Sequence, residues 1–187
     1  DEANKKAIEE VVKNHSLCVL VTRKKNGGKG KALADGVRKA DELGLTHVLQ
    51  IDSDGQHDAE RVAHFVEVSK KNPDAIICAY PEYDESAPKH RVNGRAIANA
   101  WIHTVTLSKQ IKDGMIGFRI YPVAPYVKLL NSHAIIDARM GYDIDILVRL
   151  FWKNVPIICE SVKVTYPVDG VSNFRVVRDN ARISLTY

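Results

Sequence analysis

Two aspartates two residues apart carry the sharpest chemistry in this chain: Asp52 and Asp54, in the run Gln50-Ile51-Asp52-Ser53-Asp54-Gly55-Gln56-His57-Asp58. Residues i and i+2 of an extended segment point the same way, so both carboxylates can project together from the end of the preceding strand. Carboxylates so placed repel one another unless a cation lies between them, and hard oxygen donors select Mg²⁺ or Mn²⁺. Gly55 permits a sharp reversal that brings the amide oxygen of Gln56 toward the same ion. In outline this is a site for a metal ion and a diphosphate. The competing reading is a polar loop between strand and helix in which Asp58 caps the helix that follows. An EF-hand is excluded, because no Asp/Asn series closes on a Glu at the twelfth position.

A second candidate lies upstream, in Arg23-Lys24-Lys25-Asn26-Gly27-Gly28-Lys29-Gly30-Lys31-Ala32. Glycines and lysines at a helix start make an anion cradle, since unpaired N–H groups and the positive end of the helix dipole face outward there. The spacing is not that of a P-loop, which requires GxxxxGK[ST]. A solvated basic turn is the alternative.

The elements that must hold these loops follow from hydrophobic periodicity. A helix is expected over residues 3–14, a strand at Leu17–Val21, a helix over 30–43 and a strand at 48–51. A helix over 59–71 and a strand at 75–80 complete this half. Continuous apolarity in the strands predicts burial on both faces, and the alternation of strand and helix predicts a parallel sheet with right-handed crossovers. Beyond residue 80 the pattern is less regular: a helix over 92–107, a strand at Phe118–Tyr121 stopped by Pro122 and a short helix over 124–130. A helix over 144–152 follows, then one or two strands over 155–164 and a helix from Phe174.

The 187 residues are 45% hydrophobic and 27% charged, an ordinary globular composition, and the expectation is one domain. With 27 basic and 23 acidic side chains the formal charge is +4, too mild for a dedicated nucleic-acid binder and compatible with a local anion site. No apolar run is long enough to cross a bilayer. Cys18, Cys78 and Cys159 lie in apolar runs without metal-ligand spacing and are expected to be buried free thiols, as in a reducing compartment.

Taken in order, the motifs resemble the nucleotide-sugar-dependent glycosyltransferases of family 2, with the GT-A fold, and within them the dolichyl-phosphate-mannose-synthase-like enzymes and their bacterial relatives. The resemblance starts with Asn26-Gly27-Gly28-Lys29-Gly30-x-Ala32 and Asp52-x-Asp54-Gly55-Gln56-His57. It continues through Asp113-Gly114-Met115-Ile116-Gly117-Phe118-Arg119 and Tyr142-Asp143-Ile144-Asp145-Ile146-Leu147-Val148-Arg149, and ends with Tyr166-Pro167-x-Asp169-Gly170-x-Ser172-x-Phe174-Arg175. The chain departs from the subgroup at Asn173, where a basic or imidazole residue is common, and at Asp145, where Glu is common.

The resemblance implies a three-layer α/β/α fold with a mostly parallel central sheet. Residues 1–80 would form the nucleotide-sugar and metal half, and 81–187 the acceptor half. It implies Mg²⁺ or Mn²⁺ held by Asp52, Asp54 and Gln56, and a donor site made by Lys29, Gly30, Asp52 and Asp54. The catalytic base would be Asp143 or Asp145, because displacement at an anomeric carbon needs a base for the incoming oxygen and a cation for the departing diphosphate. Arg119, Ser172, Arg175 and Arg178 would meet a phosphate-bearing acceptor, as Arg forks do. The activity implied is inverting transfer from a UDP- or GDP-sugar to a lipid, a lipid phosphate or another hydroxyl, by an enzyme of the cell envelope. No nucleic-acid partner is implied, and the place of work is the cytoplasm, with peripheral contact at the inner face of a membrane. Two rivals stand beside this: a nucleotidyltransferase, whose usual N-terminal Gly-rich loop is not visible, and a catalytically silent domain that binds a nucleotide sugar. Capping for Asp143 and Asp145, and a buried ion pair for Arg119, are the competing local readings. The family also opens with two strands that have no counterpart ahead of Asp1, so the natural protein is expected to be longer.

Overall fold

The computed structural model describes residues 2–52, 58–83, 89–132, 134–139 and 141–164. Its elements follow in the order α1 (Glu2–Asn14), α2 (Lys29–Glu42), β1 (His47–Ile51), α3 (Arg61–Lys71) and β2 (Ile76–Glu82). Then come α4 (Lys89–Thr106), β3 (Phe118–Pro122), α5 (Val123–Leu130), α6 (Tyr142–Trp152) and β4 (Ile157–Lys163). The helix expected from Phe174 falls outside the described residues.

Four strands form one sheet in the order β1-β3-β2-β4. β3 is antiparallel to both β1 and β2, whereas β2 and β4 are parallel. β1, β2 and β4 therefore run one way, as the helical crossover α3 between β1 and β2 requires, but β3 is inserted against them. The sheet is mixed, and only one of its three pairings is the parallel kind expected from the alternation. Periodicity reports that a strand is buried on both faces and carries no information about its direction.

Registered side chains share a face, and the two faces bury separate cores. On one side Val48, Ile76, Cys78, Tyr121 and Ile157 pack under α2, α4, α5 and α6 through Val37, Ile102, Leu129 and Leu147. On the other, Leu49, Ile77, Phe118 and Ile120 pack under α3 through Phe65, whose ring stacks on Phe118 at 4.4 Å. The layering is the expected α/β/α.

The strand expected at Leu17–Val21 is not part of this sheet. Its side chains are exposed, Leu17 by 97%, and the apolar stripe of α1 is open as well at Ile8 and Val11. An apolar run becomes a strand only where a neighbouring strand pairs with it; among the described residues none does, and the Cys18 N–H turns back to the His15 carbonyl at 2.9 Å. Cys18 goes with it: Cys78 is buried and Cys159 half-buried, but Cys18 is exposed, against expectation.

Candidate active site

Three elements converge beside the carboxyl end of β1. Asp52 leaves the strand there, and its N–H donates to the Gly117 carbonyl at 3.0 Å. Gly117 ends the turn from Asp113 into β3, and its missing side chain makes room: a Cβ there would lie 2.1 Å from Asp52 Oδ2. α2 contributes Lys29 from its first position and α6 contributes Asp143 from its first turn, where the helix dipole favours a carboxylate. Lys29 Nζ lies 2.7 Å from Asp52 Oδ1 and 2.7 Å from Asp143 Oδ2. Burial works against the ammonium's charge, but Asp143 and Asp52 outweigh it and raise the Lys29 pKa above the ordinary lysine value.

Asp143 is the more buried carboxylate, with 8% of its side chain exposed against 28% for Asp52. Its Oδ1 accepts from Gln50 Nε2 at 2.8 Å. Gln50 sits two residues before Asp52 on the same face of β1, directly across from Arg119 on β3. Arg119 is wholly buried, and its Nη1 donates to the Asp143 main-chain oxygen at 2.7 Å and to the Tyr121 hydroxyl at 3.1 Å. Burial opposes the guanidinium charge, yet Tyr121, Cys78 and Asp143 hold its pKa above the ordinary arginine value. Its Nε and Nη2 find no partner among the described residues. Arg119 thus lies beneath Asp143, with no exposed fork for an acceptor phosphate; it is buried, but its partners are a main-chain oxygen and a hydroxyl, and no carboxylate side chain pairs with it among the described residues.

Asp145 is turned elsewhere. Two residues along a helix are about 200° apart, so Asp143 and Asp145 face opposite sides of α6. Asp145 Oδ1 accepts from Arg149 Nε at 2.5 Å and Oδ2 from the Asp137 N–H at 2.9 Å. Burial raises the Asp145 pKa, with the Asp137 N–H and Arg149 pulling the other way. Of the two candidate bases, only Asp143 joins Lys29 and Asp52.

The basic loop differs from an open anion cradle. The Gly28 N–H donates to Asn26 Oδ1 at 2.9 Å and the Gly30 N–H to the Ala138 carbonyl at 3.1 Å. Gly28 has φ +87°, the left-handed region that glycine tolerates. A Cβ on Gly30 would meet the Tyr142 ring at 2.3 Å, so Gly30, expected to touch the donor, instead lets α2 close on α6. The Tyr142 hydroxyl accepts from Tyr126 at 2.9 Å beneath it. Arg23, at the start of the loop, pairs with Asp35.

Asp54, Gln56, Ser172, Arg175 and Arg178 lie outside the described residues. Asp58 engages the start of α3, accepting from the Glu60 N–H at 2.9 Å, while Asp52 faces Lys29. Among the described residues no three His, Cys, Asp or Glu side chains converge as a metal set. The place is nonetheless suited to a cation: two carboxylates reach one ammonium, and Gly117 leaves Asp52 the room it takes. Sequence reasoning missed Gln50 and Gly117's steric part. The signal for Gln50 was available as the single polar residue of the run Val48-Leu49-Gln50-Ile51, in phase with Asp52.

The chain matches the model of glycosyl transferase family 2 over residues 1–133, and it belongs to that family. Its fold is GT-A-like. A glucosyl-3-phosphoglycerate synthase from Mycobacterium tuberculosis, crystallised with phosphoglyceric acid, superposes with TM-score 0.64 at 13% identity, covering 100% of this chain and 63% of that one. A second structure of that synthase gives TM-score 0.63 at 15% identity over 99% and 62%. One holding Mn²⁺ and UDP-glucose gives 0.55 at 14% over 81% and 50%. The chain thus spans about half to three-fifths of these proteins. No curated protein matches by sequence. Among the described residues no helix is long and apolar enough to cross a membrane.

Proposed function

We propose that this chain carries the donor and base side of a glycosyltransferase that moves a sugar, with inversion, from a UDP- or GDP-sugar to an acceptor oxygen. The observation that carries this reading is Lys29 Nζ at 2.7 Å from both Asp52 and Asp143, which joins the first aspartate of the DxD run to a carboxylate of α6 in one open mouth. Asp143 Oδ2 takes the proton of the acceptor hydroxyl, and Lys29 offers its charge to the donor's diphosphate. Asp52, with Asp54 and Gln56, would hold Mg²⁺ or Mn²⁺, which when bound neutralises the departing diphosphate. The M. tuberculosis synthase complex with Mn²⁺ and UDP-glucose supports the donor and metal assignments by analogy of fold.

Residues 1–80 form the donor half and 81–187 the acceptor half of one domain in this reading. The acceptor is a lipid, a lipid phosphate or another hydroxyl compound; Asp143 serves the hydroxyl acceptors, whereas a lipid phosphate brings an oxygen that is already anionic and relies instead on Ser172, Arg175 and Arg178. The net charge of +4 suits work at the cytoplasmic face of a membrane when that acceptor is a lipid. The test is nucleotide release from UDP-glucose and GDP-mannose, with Mn²⁺ and with EDTA. Turnover that needs Mn²⁺ and is lost in Asp54→Ala supports the proposal. Donor binding that ignores metal and survives Asp54→Ala overturns it, binding without turnover indicates a silent domain, and formation of a nucleoside triphosphate and a sugar 1-phosphate when pyrophosphate is added indicates a nucleotidyltransferase.

A further inference from the structure

Asp143 is held by two side chains of different character. Lys29 stands in the half-exposed mouth and is shared with Asp52; an anionic donor can draw it away. Gln50 is buried, 8% exposed, and among the described residues its side chain bonds to Asp143, from Nε2 to Oδ1 at 2.8 Å. A glutamine amide facing a buried core costs free energy unless it is bonded, so its retention in an otherwise apolar strand asks for a reason. From this geometry we infer that Gln50 is a positioning residue for catalysis: it occupies one oxygen of Asp143 and leaves Oδ2 as the one that faces the mouth.

The inference rests on Asp143 being the base. A carboxylate on the first turn of a helix can rotate about its own χ angles, and freeing it by a fraction of an ångström misdirects proton abstraction. Arg119 fixes the main chain of the same residue through its carbonyl, so strand β1 holds the side chain and strand β3 the backbone. The directly opposed pair Gln50 and Arg119 makes one mount beneath the base. Lys29 can then leave Asp143 for the diphosphate without the carboxylate losing its aim.

Gln50→Met keeps the length of the side chain and removes the donor. Gln50→Asn keeps the amide but is one methylene too short to reach Asp143. In the full chain, with UDP-glucose or GDP-mannose, whichever turns over, and Mn²⁺ present, both variants should lower kcat by about tenfold or more. Donor KM should stay near wild type in both variants, and the thermal midpoint should stay near wild type in Gln50→Met, which a merely structural role would not produce; Gln50→Asn, with its buried amide left unbonded, should melt lower. The double variant Gln50→Met with Asp143→Asn should turn over no more slowly than Asp143→Asn alone, because the two act as a unit. Wild-type kcat in both Gln50 variants, or losses that multiply with Asp143→Asn, would overturn the inference while leaving Asp143 as the base. Wild-type kcat in Asp143→Asn itself would overturn the base assignment and this inference together, a different result read from a different variant.

Discussion

Asp113 and Asp143 are both buried aspartates, and their surroundings are opposite in design. Asp113, 1% exposed, closes the turn that leads into β3. Its Oδ1 accepts from the N–H groups of Met115 and Ile116 at 2.9 and 2.8 Å, and its Oδ2 from Arg95 at 3.2 Å and Asn99 at 3.3 Å. The Asn99 side-chain Oδ1 in turn takes the Gly114 N–H at 3.1 Å. Four donors thus serve this one carboxylate. At the mouth, two carboxylates share the single ammonium of Lys29. A saturated carboxylate holds a fold together. Carboxylates that share a cation keep acceptor capacity for an incoming ion or proton, which is what a reacting site requires.

The largest test of this contrast is Asp113→Ala, which leaves Arg95 and two backbone N–H groups in the turn without their acceptor. Loss of one partner from a buried charge network costs about 3–5 kcal/mol, read as a fall in the urea midpoint; a change under about 1 kcal/mol would remove the distinction between the two aspartates. Asp143→Asn should do the reverse, keeping stability near wild type while lowering turnover about a hundredfold or more. Asp145→Asn, placed among Arg149 and Asp137, should leave turnover within about threefold and show itself in the melting curve instead. Equal kinetic losses in the two helix variants would erase the assignment of roles.

Gly117→Ala probes the space between the two regions, since the turn held by Asp113 delivers Gly117 against Asp52. The added methyl must push Asp52 from Lys29, and turnover should fall about tenfold with the fold intact; normal kinetics would show that Asp52 does not need that place. The last contrast is alkaline. Burial pushes the Cys78 thiol up to about 12, with Arg119 pulling the other way, and burial also pushes the Tyr142 hydroxyl up to about 12. The folded chain keeps these protons where the unfolded chain loses them, so their stabilisation is complete below about pH 9 and falls as pH rises toward 12. The slope is about 1.4 kcal/mol per pH unit for each group between its unfolded and folded values. Denaturant midpoints at pH 8, 9 and 10 measure it, and a flat profile would place both groups closer to solvent.

Much of the fold was legible because amphipathic period and turn residues are local. α2, β1, α3, β2 and α5 lie within two residues of their expected bounds, and Pro122 closes β3 as expected. The direction of β3 was not legible, since a five-residue buried strand reads the same in either sense. The run Leu17–Val21 shows the other limit: apolarity predicts a wish for cover, and cover is supplied by other chain.

The site divides along the same line. The sequence determined on its own which residues bear charge near a strand end and a helix start: Lys29, Asp52, Asp143 and Asp145. Tertiary structure alone decided that Asp143, 91 positions beyond Asp52, shares an ammonium with it, while Asp145 turns to Arg149. It also decided that Arg119 lies beneath Asp143 and that Gln50 bonds its carboxylate. Charge and local period are properties of short segments, whereas the partner of a side chain depends on how α2, α6 and β3 close around β1, and no short segment contains that.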